Sequence, residues 1–483
     1  MTLSFESTQS VIVLGGGPGG YEAALAAAQL GAEVTLVERA GVGGSAVITD
    51  VVPSKSLIAT ADAAVAISEA SDLGVQLFAT SERGKPLKPQ VAINLAAVNK
   101  RLMSLARQQS DDMRATLVEA GVRLISGHGR LDGTHAVVVS TSQGGTDFDR
   151  IEADTIVVSV GASPRELPTA MPDGERILTW TQLYDMKTLP EHLIVVGSGV
   201  TGAEFASAYM NLGAKVTLIS SRDQVLPGED TDAAAVIEKV FKRGGMTVLA
   251  KSRAEKVERV GDGVVVTLGD GRTVEGSHCL MAVGSIPNTK EIGLEDAGVQ
   301  LAESGHIQVN RVARTSVPNI YAAGDCTTFV PLASVASMQG RMAVFHALGD
   351  AVIPLDRRRI AANIFTAPEI ATVGYQVKDI EGGRIDGYVH KLPLAANARA
   401  KMMGVKDGFV KLIAHTGSGI VLGGVIVAPR ASELIYPIAI AAERRLTVDQ
   451  LSRVFAVYPS LSGSITDAVR AMHPIDRSNT EVS

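Results

Sequence analysis

The most restrictive feature of this sequence is an internal repeat. Val11-Ile12-Val13-Leu14 leads into Gly15-Gly16-Gly17-Pro18-Gly19-Gly20, then an alanine-rich stretch from Tyr21 to Leu30, then Glu33-Val34-Thr35-Leu36-Val37 ending at Glu38. Later, His192-Leu193-Ile194-Val195-Val196 leads into Gly197-Ser198-Gly199-Val200-Thr201-Gly202, then Ala203 to Leu212, then Lys215-Val216-Thr217-Leu218-Ile219. The copies align without a gap: Gly15 with Gly197, Glu22 with Glu204, and Leu30-Gly31-Ala32 with Leu212-Gly213-Ala214. Short continuous apolar runs of this kind read as buried parallel strands. The glycines at 15, 17 and 20, and again at 197, 199 and 202, allow a tight turn and a close backbone approach to a pyrophosphate held at a helix N-terminus. A lone Gly-x-Gly-x-x-Gly is weak, but here strand, helix, second strand and acid follow in order. Two dinucleotide sites imply two dinucleotides with electrons passing between them, which points to an oxidoreductase.

The copies differ where the second strand ends. Glu38 can accept hydrogen bonds from an adenosine ribose, whereas its counterpart is Ser220, followed by Ser221 and Arg222. A carboxylate there bonds the 2′-hydroxyl of NAD and repels the 2′-phosphate of NADP; small hydroxyls with an arginine accommodate that phosphate. The second site is therefore expected to accept NADPH, with NADH open as an alternative.

A chain of 483 residues suits about three domains at roughly 150 residues each. The net charge of −6 is spread without a basic block, which argues against nucleic acid as the main partner. Cys279 and Cys326 are the only cysteines, far apart and in no metal spacing, so a structural disulfide is not expected and the compartment reads as reducing. Residues 1–10 carry no signal-like apolar region and no apolar run is read as reaching membrane-spanning length. The expectation is a soluble, cytoplasmic protein.

The stretch Gly43-Gly44-Ser45-Ala46-Val47-Ile48-Thr49-Asp50-Val51-Val52-Pro53-Ser54-Lys55 resembles the active-site segment of the lipoamide dehydrogenase and glutathione reductase family. In that family two redox cysteines stand where Ala46 and Val51 stand here. Further segments continue the likeness: Gly127-His128-Gly129-Arg130, Val157 to Arg165 with Gly161, Met281 to Asn288 with Gly284, Thr315 to Asp325, Leu332-Ala333-Ser334, and Phe365 to Gly374. The resemblance implies an α/β fold with two Rossmann-like domains, for FAD and NAD(P), and a C-terminal α+β dimerisation domain. The expected boundaries are 1–159 and 285–351 for the two parts of the FAD domain, 160–284 for the NAD(P) domain, and 352–483 for the dimerisation domain. By the same resemblance Asp325 binds the ribitol chain, a turn at Gly127-His128-Gly129-Arg130 meets the adenine through its backbone, and the helix at Ala333 covers the flavin ring. Gly44, Ser45, Gly161 and Gly284 fall on other cofactor-contacting positions of the family. Ser285 departs from the pattern, which usually has Arg there.

The family's thiol base, a His-Pro followed by Glu from the second subunit, corresponds here to Tyr458-Pro459 and Gly463. Cysteines and base are lost together, and without a thiolate there is no disulfide relay. Lys55 and Glu204 remain, where the family places a lysine–glutamate pair near the flavin's reactive nitrogen; a cation there stabilises reduced flavin. Hydride from NAD(P)H is then expected to leave flavin for a flat apolar acceptor such as a quinone, beside Ala46 and Val51, with Tyr458 of a homodimer completing the site. The whole pattern is most similar to the lipoamide-dehydrogenase-like NAD(P)H:quinone reductases of actinobacteria. Soluble transhydrogenases, which carry Tyr-Pro at the same place, are the second reading, and an idle FAD protein that binds a partner is the third.

Overall fold

The computed structural model describes residues 9–78, 86–87, 91–141 and 148–473. Residues 1–8, at the start of the segment read as lacking a signal, and the last ten of the expected dimerisation domain, 474–483, lie outside the described residues.

The chain forms two compact units. The first comprises residues 1–60, 92–189 and 281–356. Its centre is a five-stranded parallel sheet in the order Ile320–Ala322, Thr155–Val158, β1 (Ser10–Leu14), β2 (Glu33–Glu38), Arg123–Ser126. After Ser10, β1 is apolar because both of its faces are covered, and Val11 to Leu14 are buried. Each such aliphatic side chain contributes roughly 1.5–3 kcal/mol on burial. Between β1 and β2 runs α1 (Pro18–Gln29), opened by proline in its first turn, where the missing N–H costs nothing. It stops at Gly31, whose φ of +82° lets the Ala32 amide reach back 3.1 Å to the Ala27 carbonyl. Its alanines 23, 24, 26 and 27 pack without exposure, and the helix Ala333–Ala347 lies against it. The two backbones come so close that a Cβ at Gly340 would overlap the Gly19 carbonyl.

After β2 the chain forms α2 (Gly44–Ile48) and α3 (Val51–Ser68). Together, Gly44–Ser68 make one stretch that is long and apolar enough by length and composition to cross a membrane; its apolar 18-residue window is 28% buried. This corrects the expectation that no run reaches that length. The sequence reading counted uninterrupted apolar residues, whereas Asp50, Lys55 and Asp62 interrupt a stretch that is otherwise rich in Ala, Val and Ile. A second difference concerns His128 and Gly129, expected in a turn: they open a strand, His128–Leu131, the edge of a three-stranded antiparallel sheet.

The second unit comprises residues 61–91, 190–280 and 357–483. It repeats the parallel motif as β3 (His192–Val196), α4 (Val200–Asn211) and β4 (Lys215–Ile219), followed by α5 (Thr231–Arg243) and β5 (Thr247–Leu249). Helix α4 stops as α1 does, at Gly213 with φ +100° and Ala214 N–H 3.0 Å from the Tyr209 carbonyl. The unit also holds a five-stranded antiparallel sheet in the order Ala361–Ile364, Glu369–Gly374, Val421–Ala428, Phe409–His415, Gly387–Pro393. A buried charge pair joins the two parts of this unit. Asp230, the N-cap of α5, accepts the Lys411 ammonium at 2.7 Å as well as the amides of Asp232 and Ala233. Both members are almost fully buried; Lys411 also reaches Asp232 at 2.7 Å, so it is loss of the lysine that would leave Asp230 as a buried charge without its cation.

Candidate functional site

The first glycine loop is shaped from below by the sheet and left open above. Gly15, at φ +94°, donates its N–H to the Val37 carbonyl at 2.8 Å, and a Cβ there would strike the Ser159 carbonyl. A Cβ at Gly20 would overlap the Gly15 carbonyl. At Gly17 a Cβ would meet nothing within 4 Å, so the space in front of the α1 N-terminus is free. No side chain caps that terminus, which leaves its N–H groups for an anion. Gly44, at φ +56°, packs on the same loop, where a Cβ would sit 2.8 Å from the Gly17 Cα; Ser45 beside it is exposed.

Glu38 closes the loop from the side. Its Oε2 accepts the Gly16 N–H at 2.6 Å and its Oε1 the Ala40 N–H at 2.7 Å. Oε1 also accepts the Gly41 N–H at 3.3 Å, so Oε2 is the oxygen that keeps a lone pair for a ribose hydroxyl. Across the sheet, Ala323 donates its N–H to the Val158 carbonyl, and Gly324 donates to Gln339 Oε1 at 2.9 Å, so Asp325 leaves the strand end on a fixed path. Burial raises the Asp325 carboxyl above the usual carboxylate range. Ala333 begins a helix whose N-terminus also lacks a side-chain cap.

His128, Gly129 and Arg130 line one side of a cavity of about 660 Å³ whose other walls include Arg39, Ser163, Asn288 and Lys290. Gly161, at φ +67°, accepts the Asn288 N–H at 3.0 Å, and Gly284, at φ +94°, accepts the Arg165 N–H at 2.9 Å. These two glycines flank the paired strands Ala162–Pro164 and Ser285–Pro287. The open cradle at Gly17, the uncapped helix and the buried Asp325 carboxyl fit a dinucleotide with a polyol chain.

The expected cysteine positions carry no sulfur. Ala46 and Val51 are both half-buried, Ala46 within α2 and Val51 at the start of α3; Lys55, one turn further on, is half-buried as well. The two thiols of the chain are buried elsewhere, Cys279 and Cys326 both in the core. Cys326 Sγ lies 3.4 Å from the Ala323 carbonyl, and burial pushes its thiol up to about 12, so it is held as an inert thiol.

In the second unit, Gly197 (φ +109°) donates to the Ile219 carbonyl at 3.0 Å, as Gly15 does to Val37. A Cβ at Gly199 would meet nothing within 4 Å, α4 is likewise uncapped, and Gly202 is buried in its first turn. Glu204, 5% exposed, accepts the Phe365 N–H at 2.8 Å. The strand end holds a surprise for the sequence reading: Ser220 is fully buried and engaged within the protein. Its Oγ receives the Ser198 hydroxyl at 2.7 Å and the Arg222 N–H at 3.1 Å. Ser221 and Arg222, by contrast, are exposed. Tyr458 is 85% exposed, with Val457 and Phe455 beside it also exposed.

Comparison with known proteins gives a consistent picture. Residues 9–340 match the family described as pyridine nucleotide-disulphide oxidoreductase, and residues 360–469 match the dimerisation domain of the same family. The chain is 50% identical over 471 residues to an NAD(P)H dehydrogenase (quinone) of Mycobacterium tuberculosis, covering 96% of this chain and 93% of that one. It is 32% identical over 460 residues to a dihydrolipoyl dehydrogenase of Geobacillus stearothermophilus, covering 95% and 94%. The crystal structure of LpdA from Mycobacterium tuberculosis superposes with a TM-score of 0.91 at 48% identity, covering 97% of this chain and all of that one.

Proposed function

The chain belongs to the pyridine nucleotide-disulphide oxidoreductase family, whose cofactors are FAD and NAD(P)H, and from that premise we propose that it is an NAD(P)H:quinone oxidoreductase without a redox disulfide. The observation that carries the reading is the sulfur-free segment: Ala46 and Val51 occupy the cysteine positions, while both thiols are buried elsewhere. FAD, when bound, supplies the two-electron chemistry between the nicotinamide and the acceptor. Gly15, Gly17, Gly20, Glu38 and Asp325 would hold it, with Gly44, Ser45, His128, Gly129, Gly161 and Ala333 along its length. Gly197, Gly199 and Gly202 would admit the nicotinamide nucleotide, and Gly284 the return of the chain beside it.

Lys55 holds positive charge where reduced flavin needs it, and Glu204, whose carboxylate is fixed by the Phe365 amide, is the acid partner that the family assigns to that lysine. Ala46 and Val51 give the acceptor an apolar wall that a thiolate would not. Ser221 and Arg222 admit the 2′-phosphate of NADPH. The exposed Phe455, Val457 and Tyr458 form a patch of the sort that associates, and we assign it to a homodimer in which Tyr458 completes the partner's acceptor site. Two buried cysteines far apart in the sequence support a cytoplasmic location.

The test separates the two half-reactions of the purified yellow protein under anaerobic conditions. NADPH should bleach the flavin and menadione should restore its colour. Ala46→Phe should slow the menadione step tenfold or more and leave bleaching by NADPH within twofold. Unchanged reoxidation in that variant would remove the acceptor from this wall. Turnover with NAD as the only acceptor would make the protein a transhydrogenase, the second reading, whose enzymes also carry Tyr-Pro where Tyr458-Pro459 stands.

A further inference from the structure

The loop that follows β4 is tied to the loop that follows β5. Ser220 donates its N–H to the Leu249 carbonyl at 2.9 Å, Ser252 donates to the Ser220 carbonyl at 2.8 Å, and Lys251 donates to the Arg222 carbonyl at 2.9 Å. The parallel pairing of Thr217, Leu218 and Ile219 with Thr247, Val248 and Leu249 is thereby prolonged past the strand ends. Both loops thus lie at the carboxyl edge of the sheet, where nucleotides bind in open α/β folds.

Three exposed cations result, Arg222 on one loop and Lys251 and Arg253 on the next; of the last two, Lys251 is the one whose backbone is bonded to Arg222. Lys251 has φ +52°, a conformation that suits glycine and strains a side-chain-bearing residue. Its ammonium is 3.7 Å from Asp223 Oδ2, beyond hydrogen-bonding distance, and both side chains are largely exposed. That contrasts with Arg272 on a neighbouring loop, which is committed to Asp270 at 2.7 Å and to Ser252 Oγ at 3.1 Å. A long, solvent-screened pair of this kind is weak, and a dianion outcompetes a carboxylate for the lysine.

We propose that Lys251 is the second cation of a 2′-phosphate clamp, acting with Arg222 to select NADPH over NADH. The inference rests on the reading of Ser221 and Arg222 given above and adds a residue from a different loop. Arg222 presents a fork to the phosphate, while Lys251 is a point charge set beside it by the Lys251 N–H to Arg222 carbonyl bond. Asp223 holds that ammonium near the site when no phosphate is present.

The experiment is calorimetric binding of 2′,5′-ADP and of 5′-AMP to the FAD-loaded protein, which needs no turnover. Lys251→Gly suits the backbone conformation, so it deletes the charge without straining the loop. It should weaken 2′,5′-ADP binding about tenfold and leave 5′-AMP unchanged, and Lys251→Arg should restore 2′,5′-ADP to within threefold of the parent. Equal weakening of both ligands in Lys251→Gly would show a backbone effect and overturn the assignment. A parent that discriminates, with a Lys251→Gly variant that discriminates equally well, would also overturn it while leaving Arg222 in place. A parent that binds 2′,5′-ADP no more tightly than 5′-AMP would remove the phosphate site itself.

Discussion

The two glycine loops share a backbone and differ in what closes them. In the first, a carboxylate from the strand end reaches back: Glu38 takes the Gly16 amide with one oxygen and the Ala40 amide with the other. In the second, the residue at the same place turns inward, and Ser220 receives the Ser198 hydroxyl beneath the loop. One loop is closed by a charge from the side, the other by a neutral latch from below. The geometry that both need is supplied by glycine and by the ladder bond to the neighbouring strand, so the residue that closes each loop can differ without changing its backbone. That division of labour lets one motif serve a resident dinucleotide and an exchanging one in a single chain.

The comparison can be broken most severely at its steric base. Gly20→Ala places a methyl on the Gly15 carbonyl, and the purified protein should be colourless at 450 nm with a lowered melting temperature. Gly199→Ala adds a methyl into open space at the second site; that variant should stay yellow and lose affinity for NADPH. If both variants retained flavin equally, the first loop would not have the rigidity assigned to it. A smaller effect is expected at the closing residues. Arg222→Ala should lower kcat/KM for NADPH by roughly 10- to 100-fold, the worth of one charge-assisted contact, and leave NADH within twofold. Loss for both nucleotides alike would make Arg222 a loop-shaping residue. Ser198→Ala removes the latch at about 1 kcal/mol and should raise KM several-fold for NADPH and NADH together, since it touches neither ribose.

Much of this organisation was legible in the sequence because it rests on sterics. A strand, a glycine turn and an alanine-rich helix leave few alternatives, and the matched Leu-Gly-Ala stops at 30–32 and 212–214 foretold helices of equal length. Ser220 was less legible. Alignment gives its position at the strand end but not the direction of a side chain small enough to be buried, and Ser198, its partner, reads in sequence only as a filler between two glycines. His128 was misread for a related reason: Gly127 and Gly129 signal a turn, yet the segment pairs with Ala136–Ser140 and is held extended by its neighbour. Lys251 gave no signal at all, since a lone lysine after a short strand is ordinary until its positive φ and its bond to the Arg222 carbonyl are seen.

The close approach of Gly340 to Gly19 has a consequence for how this chain can vary. Every single-base change in a glycine codon that alters the residue either adds at least a Cβ or stops the chain, and at position 340 any Cβ meets the Gly19 carbonyl. The position therefore has no neighbouring amino acid that mutation can sample without displacing the helix Ala333–Ala347 from α1. Ala46 and Val51 are under no such confinement, since each already carries a side chain and neither is fully buried. Chemistry at this flavin site can drift while the helix pair that frames it cannot.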